Sequence, residues 1–160
     1  MKPKMESSRI CSVARALDIL GDRWIFFIIR EAFFGIKTNE EFQKNLGIAT
    51  NILSDRLKTL VQNGIFERIK NPDDGRRFVY KLTEKGLDLY PVTMAIMNWG
   101  DRWLSGEDEV PLVLYHQSCG HRLEPAMSCT HCGETIRARD VTYGEQPGKK
   151  KTDDIIGVNG

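Results

Sequence analysis

Three of the four cysteines in this 160-residue chain fall in one short stretch, as Cys119-Gly-His121 and Cys129-Thr-His-Cys132-Gly. Pairs of soft ligands at tight spacing, joined by a short loop, can close a tetrahedral zinc site. The best quartet is Cys119, His121, Cys129 and Cys132, and His116 or His131 can stand in for His121. Four protein ligands leave no open coordination position, so the expected role is one structural zinc per chain rather than catalysis. The competing reading is a small ribbon held by turns alone, without metal. Cys129-Thr-His-Cys132 also resembles a thiol-redox motif, which makes a redox or zinc enzyme the alternative function class. That motif belongs at the start of a helix in a parallel-sheet setting. Here it follows Glu124-Pro-Ala-Met-Ser128 in a loop-rich stretch. No phosphate-binding glycine loop and no nucleophile–base–acid set is visible elsewhere in the sequence.

A second set of residues suits nucleic acid. From Ile48 to Leu82 an amphipathic helix runs directly into a basic hairpin. Leu53, Leu57, Leu60 and Val61 recur at helical spacing and face inward. Thr50, Asn51 and Ser54 lie near the helix N-terminus, the end that enters a major groove. Asn can pair with adenine in two bonds and Ser or Thr can meet several bases. Arg56 and Lys58 are placed for phosphates, and so for positioning rather than specificity. The bland alternative is a solvated helix face with Arg56 paired to Asp55 or Glu41. Beyond Gly64, Ile65–Lys70 and Phe78–Leu82 alternate like strands around Asn71-Pro-Asp-Asp-Gly75, a strong hairpin signal. Arg76 and Arg77 follow the turn, within reach of a minor groove or its phosphates. Edge-strand charge that blocks aggregation would look the same.

Cys11 lies at the expected start of the first helix, near Arg9 and Arg15. The helix dipole and positive neighbours favour its thiolate, so it is a redox-sensing candidate. The alternative is a small side chain packed at that point.

The elements that must position these residues follow from periodicity and capping. Ser12–Leu20 reads as a helix with Val13, Ala16, Leu17 and Leu20 inward. Arg23–Phe34 reads as a second, very apolar helix. Thr38 can cap a third, with Glu41 at the capping-box position and Phe42 and Leu46 inward, ending at Gly47. Past the hairpin one helix is expected from Thr83 to about Leu104, with Leu87, Tyr90, Met94, Met97 and Trp103 as apolar surface and a kink, or a break at the preceding turn, from Pro91. Residues 107–111 read as a linker, Leu112–Tyr143 as a compact cysteine-bearing module and 144–160 as a disordered tail. No internal repeat is visible.

Composition agrees with one globular domain and a small appendage. The chain is 41% hydrophobic and 28% charged, with no leader-like segment and no apolar run of membrane-spanning length. A cytoplasmic location is expected, where cysteines favour metal or thiol chemistry over disulfides. Residues 1–106 hold 17 Lys/Arg against 13 Asp/Glu, and residues 107–160 hold 6 against 9. The hairpin-bearing part is thus the basic one, as phosphate binding favours.

The order of helices, wing and long helix resembles the HxlR-type winged helix-turn-helix regulators. The matching residues are Cys11, Leu20-Gly-Asp-Arg-Trp24, Asn51-x-Leu53-Ser54-x-Arg56-Leu57, Gly64, Tyr80-x-Leu82-Thr83-x-x-Gly86 and Trp99-Gly100. They cover roughly residues 9–104. Ser12 departs from the family, which often has Pro there. The resemblance implies a mainly α fold with a β-hairpin wing, acting as a homodimeric regulator on palindromic double-stranded DNA. The terminal helices would make the dimer interface.

Overall fold

The computed structural model describes residues 11–106, 110 and 112–142. The expected tail and the leading residues lie outside that range, as does most of the expected linker. The described residues divide into two compact units, the first Ser12–Leu123 and the second holding Glu124 onward together with Cys11. In the first, helices α1 (Ser12–Leu20), α2 (Arg23–Phe33), α3 (Asn39–Leu46) and α4 (Thr50–Gln62) precede an antiparallel hairpin, β1 (Phe66–Lys70) and β2 (Phe78–Leu82). Helices α5 (Glu84–Leu87) and α6 (Tyr90–Leu104) follow. In the second unit the longest regular piece is one 3-10 turn, Ala138–Asp140. Among the described residues no helix is long and apolar enough to cross a membrane.

Local chemistry sets the helix starts. The Asp22 carboxylate accepts from the Trp24 N–H at 2.8 Å and caps α2. Thr38 and Glu41 form the reciprocal capping box of α3. The Thr38 hydroxyl, then the backbone N–H groups of Thr38 and Lys37, hold the Glu41 carboxyl below its ordinary value. Gly47 ends α3 with φ +59°, a left-handed conformation that costs glycine little. Only Gly47, Ile48 and Ala49 separate α3 from α4, which fixes the angle between them.

Leu53, Leu57 and Leu60 of α4 are fully buried against Ile25, Ile28, Ile29, Phe42, Ile65 and Phe66. Each such side chain contributes about 1.5–3 kcal/mol by leaving water. Val61 is half-buried at the edge of this core. The hairpin pairs Phe66 with Leu82 and Lys70 with Phe78. It is anchored to the reading head where the Tyr80 N–H donates to the Lys37 carbonyl at 2.8 Å.

The run from Thr83 to Leu104 is broken, not merely kinked, in the turn before Pro91: it is interrupted at Asp88-Leu89, because Pro91 sits in the first turn of α6 where its missing N–H costs nothing. One expectation changes. The inward stripe of α1 is not inward: Val13 is 65% exposed, Leu17 is 54% exposed, Ala16 is exposed, and only Leu20 is buried. Amphipathic spacing predicts an apolar face, but within one chain the described residues do not cover this one. Leu87, Tyr90 and Trp103 are likewise exposed, whereas Met94 is buried and Met97 half-buried.

Candidate nucleic-acid interface

The N-terminal turns of α4 carry Thr50, Asn51 and Ser54, all exposed, and Lys58 follows one turn later, also exposed. They stay outward because Leu53 and Leu57, on the opposite face, are locked in the core. The Thr50 hydroxyl accepts from the Gln43 side-chain amide at 2.7 Å, which ties α3 to the start of α4. Sequence reasoning passed over Gln43, since nothing local marks a residue seven positions from its partner. Asn51, Ser54 and Lys58 make no side-chain hydrogen bond or ion pair among the described residues. Their polar groups therefore remain open to a ligand.

Arg56 differs from its neighbours. Its Nη2 lies 2.8 Å from Asp22 Oδ2, and Nη1 pairs with Asp55. The hydrogen bond to Asp22 is the main reason its basicity is raised. Its Nε is buried without a hydrogen-bond partner among the described residues. Asp22 thus caps α2 with one oxygen and clamps α4 with the other. The cap was legible as an Asp just before a helical run, but the clamp spans 34 positions and was not. Asp22→Ala is expected to cost about 2–3 kcal/mol, combining a lost cap of about 1 kcal/mol with a lost charged hydrogen bond. Denaturant unfolding measures this, and Asp22→Asn, which can still cap, should lose less. Equal stability of Asp22→Ala and the parent would mean that the clamp contributes nothing.

At the wing tip the acids build the turn. Asn71 accepts from the Asp73 N–H at 2.9 Å and Asp74 from the Arg76 N–H at 3.1 Å. Asp74 also holds Arg76 and Arg77 at 3.4 Å, yet the Arg76 side chain is 94% exposed. Surface pairs of this kind are worth little, so both arginines can exchange Asp74 for a phosphate. Arg68 is occupied differently, with its guanidinium 3.6 Å over the Phe78 ring.

The cysteines stand apart from this surface. Cys11 is exposed and directly precedes α1. In the first unit, His116 and Cys119 come together on one turn, with Nδ1 and Sγ 3.4 Å apart, and His121 lies past Gly120. In the second unit, the Cys129 thiol is held below its ordinary pKa by the backbone N–H groups of Cys132 and His131 and by the Cys132 side chain. Among the described residues no three His, Cys, Asp or Glu side chains are gathered around a metal position.

Comparisons with known proteins agree with the reading head. Residues 19–108 match the model of the HxlR-like helix-turn-helix family. The chain is 45% identical over 139 residues to the HTH-type transcriptional regulator Rv3095 of Mycobacterium tuberculosis, covering 87% of this chain and 88% of that one. It is similar to the structure of PA1607, named a transcription factor, with a TM-score of 0.80 and 34% identity over 87% of this chain and 97% of that one. The reduced form of the transcriptional regulator YodB from Bacillus subtilis matches with a TM-score of 0.52 and 33% identity, over 62% of this chain and 100% of that one. With the open face of α4, the arginine-tipped wing and these matches in place, the chain belongs to the HxlR-like helix-turn-helix family of DNA-binding transcriptional regulators.

Proposed function

We propose that the protein regulates transcription as a homodimer on a palindromic operator. Each α4 would enter a major groove and each wing would lie on the flanking backbone. Two heads reading one face of the duplex stand about 34 Å apart. The observation that carries this reading is the open polar face Asn51-Ser54-Lys58 of α4, in a unit whose wing also exposes Arg76 and Arg77. Arg56, expected as a phosphate contact, has its guanidinium on Asp22 and holds α4 in place instead. The relatives are transcriptional regulators, so we place this chain among regulators rather than enzymes, in the cytoplasm with the DNA it reads.

Selection of operator DNA with purified protein tests the proposal. Asn51→Ala and Ser54→Ala are expected to relax discrimination at particular bases, by about 1–3 kcal/mol where a two-bond base pairing is removed. Arg76→Ala and Arg77→Ala should weaken all sequences together and flatten the salt dependence, by about 0.9 for each phosphate no longer neutralised. Binding that ignores sequence and survives all four substitutions would sink the reading. A thiol response through Cys11 is supported by its exposure before α1 and by the existence of a distinct reduced form of YodB. The same selection, run on reduced and oxidised protein with Cys11→Ser as control, reads it out.

A further inference from the structure

Helix α6 has two apolar faces. Val92, Ile96 and Trp99 point outward and are exposed. Tyr90, Met94 and Met97 recur at helical spacing on another face and turn toward the end of α2. With Phe33 and Phe34 they line a cavity of about 160 Å³, to whose wall Leu114 adds one side chain. All of these residues belong to the first compact unit. The Phe33 and Tyr90 rings meet edge to face, with centroids 4.8 Å apart. Met94 is buried, whereas Phe34 and Tyr90 leave much of their rings in water.

Size and chemistry narrow the occupant. An apolar cavity of about 150 Å³ takes up one benzene-sized molecule. Aromatic edges and methionine sulfurs favour a flat ring over a branched aliphatic group. Two polar side chains also line the wall, Arg30 and Thr93. Arg30 holds the buried Glu31 carboxylate through Nε at 3.2 Å and Nη2 at 2.7 Å, and its Nη1 takes part in neither bond. Glu31 already balances its charge, so Arg30 offers a ligand an N–H more than a net positive charge. The Thr93 hydroxyl donates to the Leu89 carbonyl at 2.9 Å and can therefore only accept from a ligand. An oxygen that accepts from Arg30 and donates to Thr93 satisfies both; a phenol hydroxyl does this and a carboxylate, which cannot donate, does not. We propose that this cavity binds one small phenolic ring per chain, as an effector of DNA binding.

The effector role rests on the operator reading above; the binding site does not. Helix α6 carries the cavity on one face and the exposed residues Val92, Ile96 and Trp99 on another. A ring seated against Phe33 and Phe34 therefore changes how α6 lies on α2, and with it the seat of anything that packs on the outer face. Two reading heads must meet two grooves at one fixed spacing. Binding of the ring lowers operator affinity on this account, and operator lowers affinity for the ring by the same factor.

The test titrates the full chain with phenol, followed by calorimetry and by NMR of labelled methionine methyls. One phenol should bind per chain, with its ring protons in contact with the Met94 and Met97 methyls, and benzoate should bind about 10-fold more weakly or worse. Met97→Trp puts an indole into the cavity and should abolish binding. The methyl contacts are read on the parent protein, so they decide the site even where that variant does not fold. Saturating phenol should weaken operator binding by about 5-fold or more in the parent and leave folded Met97→Trp unaffected. No bound phenol, contacts that miss Met94 and Met97, or benzoate bound as well as phenol would overturn the site. Phenol bound in the cavity with operator affinity unchanged would overturn the effector role. A protein that selects no operator at all would sink the operator reading and the effector role with it, while the methyl contacts still decide the site.

Discussion

Glutamate in place of Ile96 and Trp99 on α6 is expected to give a monomer whose operator affinity is about 100-fold lower or worse. Val92, Ile96, Trp99 and Trp103 are all exposed on this helix, Ile96 by 51% and Trp99 by 57%. Their spacing of four, three and four residues draws one seam, as in helices that pack against a symmetry-related copy. Val13 and Leu17 on α1 leave further apolar surface open in the same unit. Because these side chains are exposed in the single chain, charging them should leave the core around Leu53 and Leu57 intact. What disappears is the second reading head. Linking two heads raises avidity by about 10²–10⁴ over either alone, and a monomer forfeits that factor. Light scattering gives the oligomeric state, and fluorescence anisotropy gives affinity for a full operator and for one half-site. The half-site affinity should barely change. A doubly substituted protein that stays dimeric with normal affinity would place the dimer interface elsewhere.

Gly86→Ala should destabilise the protein by about 3 kcal/mol, the upper part of the range for overpacking. A Cβ at this position would stand 2.3 Å from the Ile65 carbonyl oxygen and 2.9 Å from Leu82 Cδ2. Leu82 can shift; the Ile65 carbonyl cannot, because it accepts from the Thr83 N–H at 3.1 Å and from the Thr83 hydroxyl at 3.2 Å. That hydroxyl also donates to the Gly64 carbonyl at 2.6 Å and accepts from the Gly86 N–H at 3.1 Å. This small network seats α5 against the start of β1, and with it the orientation of the wing. Melting temperature should therefore fall by about 10 °C or more, and operator binding should weaken even where the protein remains folded. Gly75→Ala is the control, since a Cβ there meets nothing within 4 Å. If the two variants melt alike, the close approach at Gly86 carries no energetic weight.

Features of short range were legible in the residues themselves. Thr38 and Glu41 announce the start of α3 because both halves of the capping box lie within one turn. Asn71-Pro-Asp-Asp-Gly75 announces the hairpin because the turn is made by its own side chains. The spacing of Leu53, Leu57 and Leu60 fixes which face of α4 is buried, and so which residues are left for DNA. Only the tertiary structure decided what each face meets. Periodicity marks Val13, Ala16 and Leu17 as an apolar stripe, but a stripe is the same whether its own chain or a second copy covers it. Arg56 reads as a phosphate contact until the fold brings Asp22 to it across 34 positions. Capping and periodicity act within a few residues and are written locally; partners distant in the chain are chosen by packing, which no local pattern encodes.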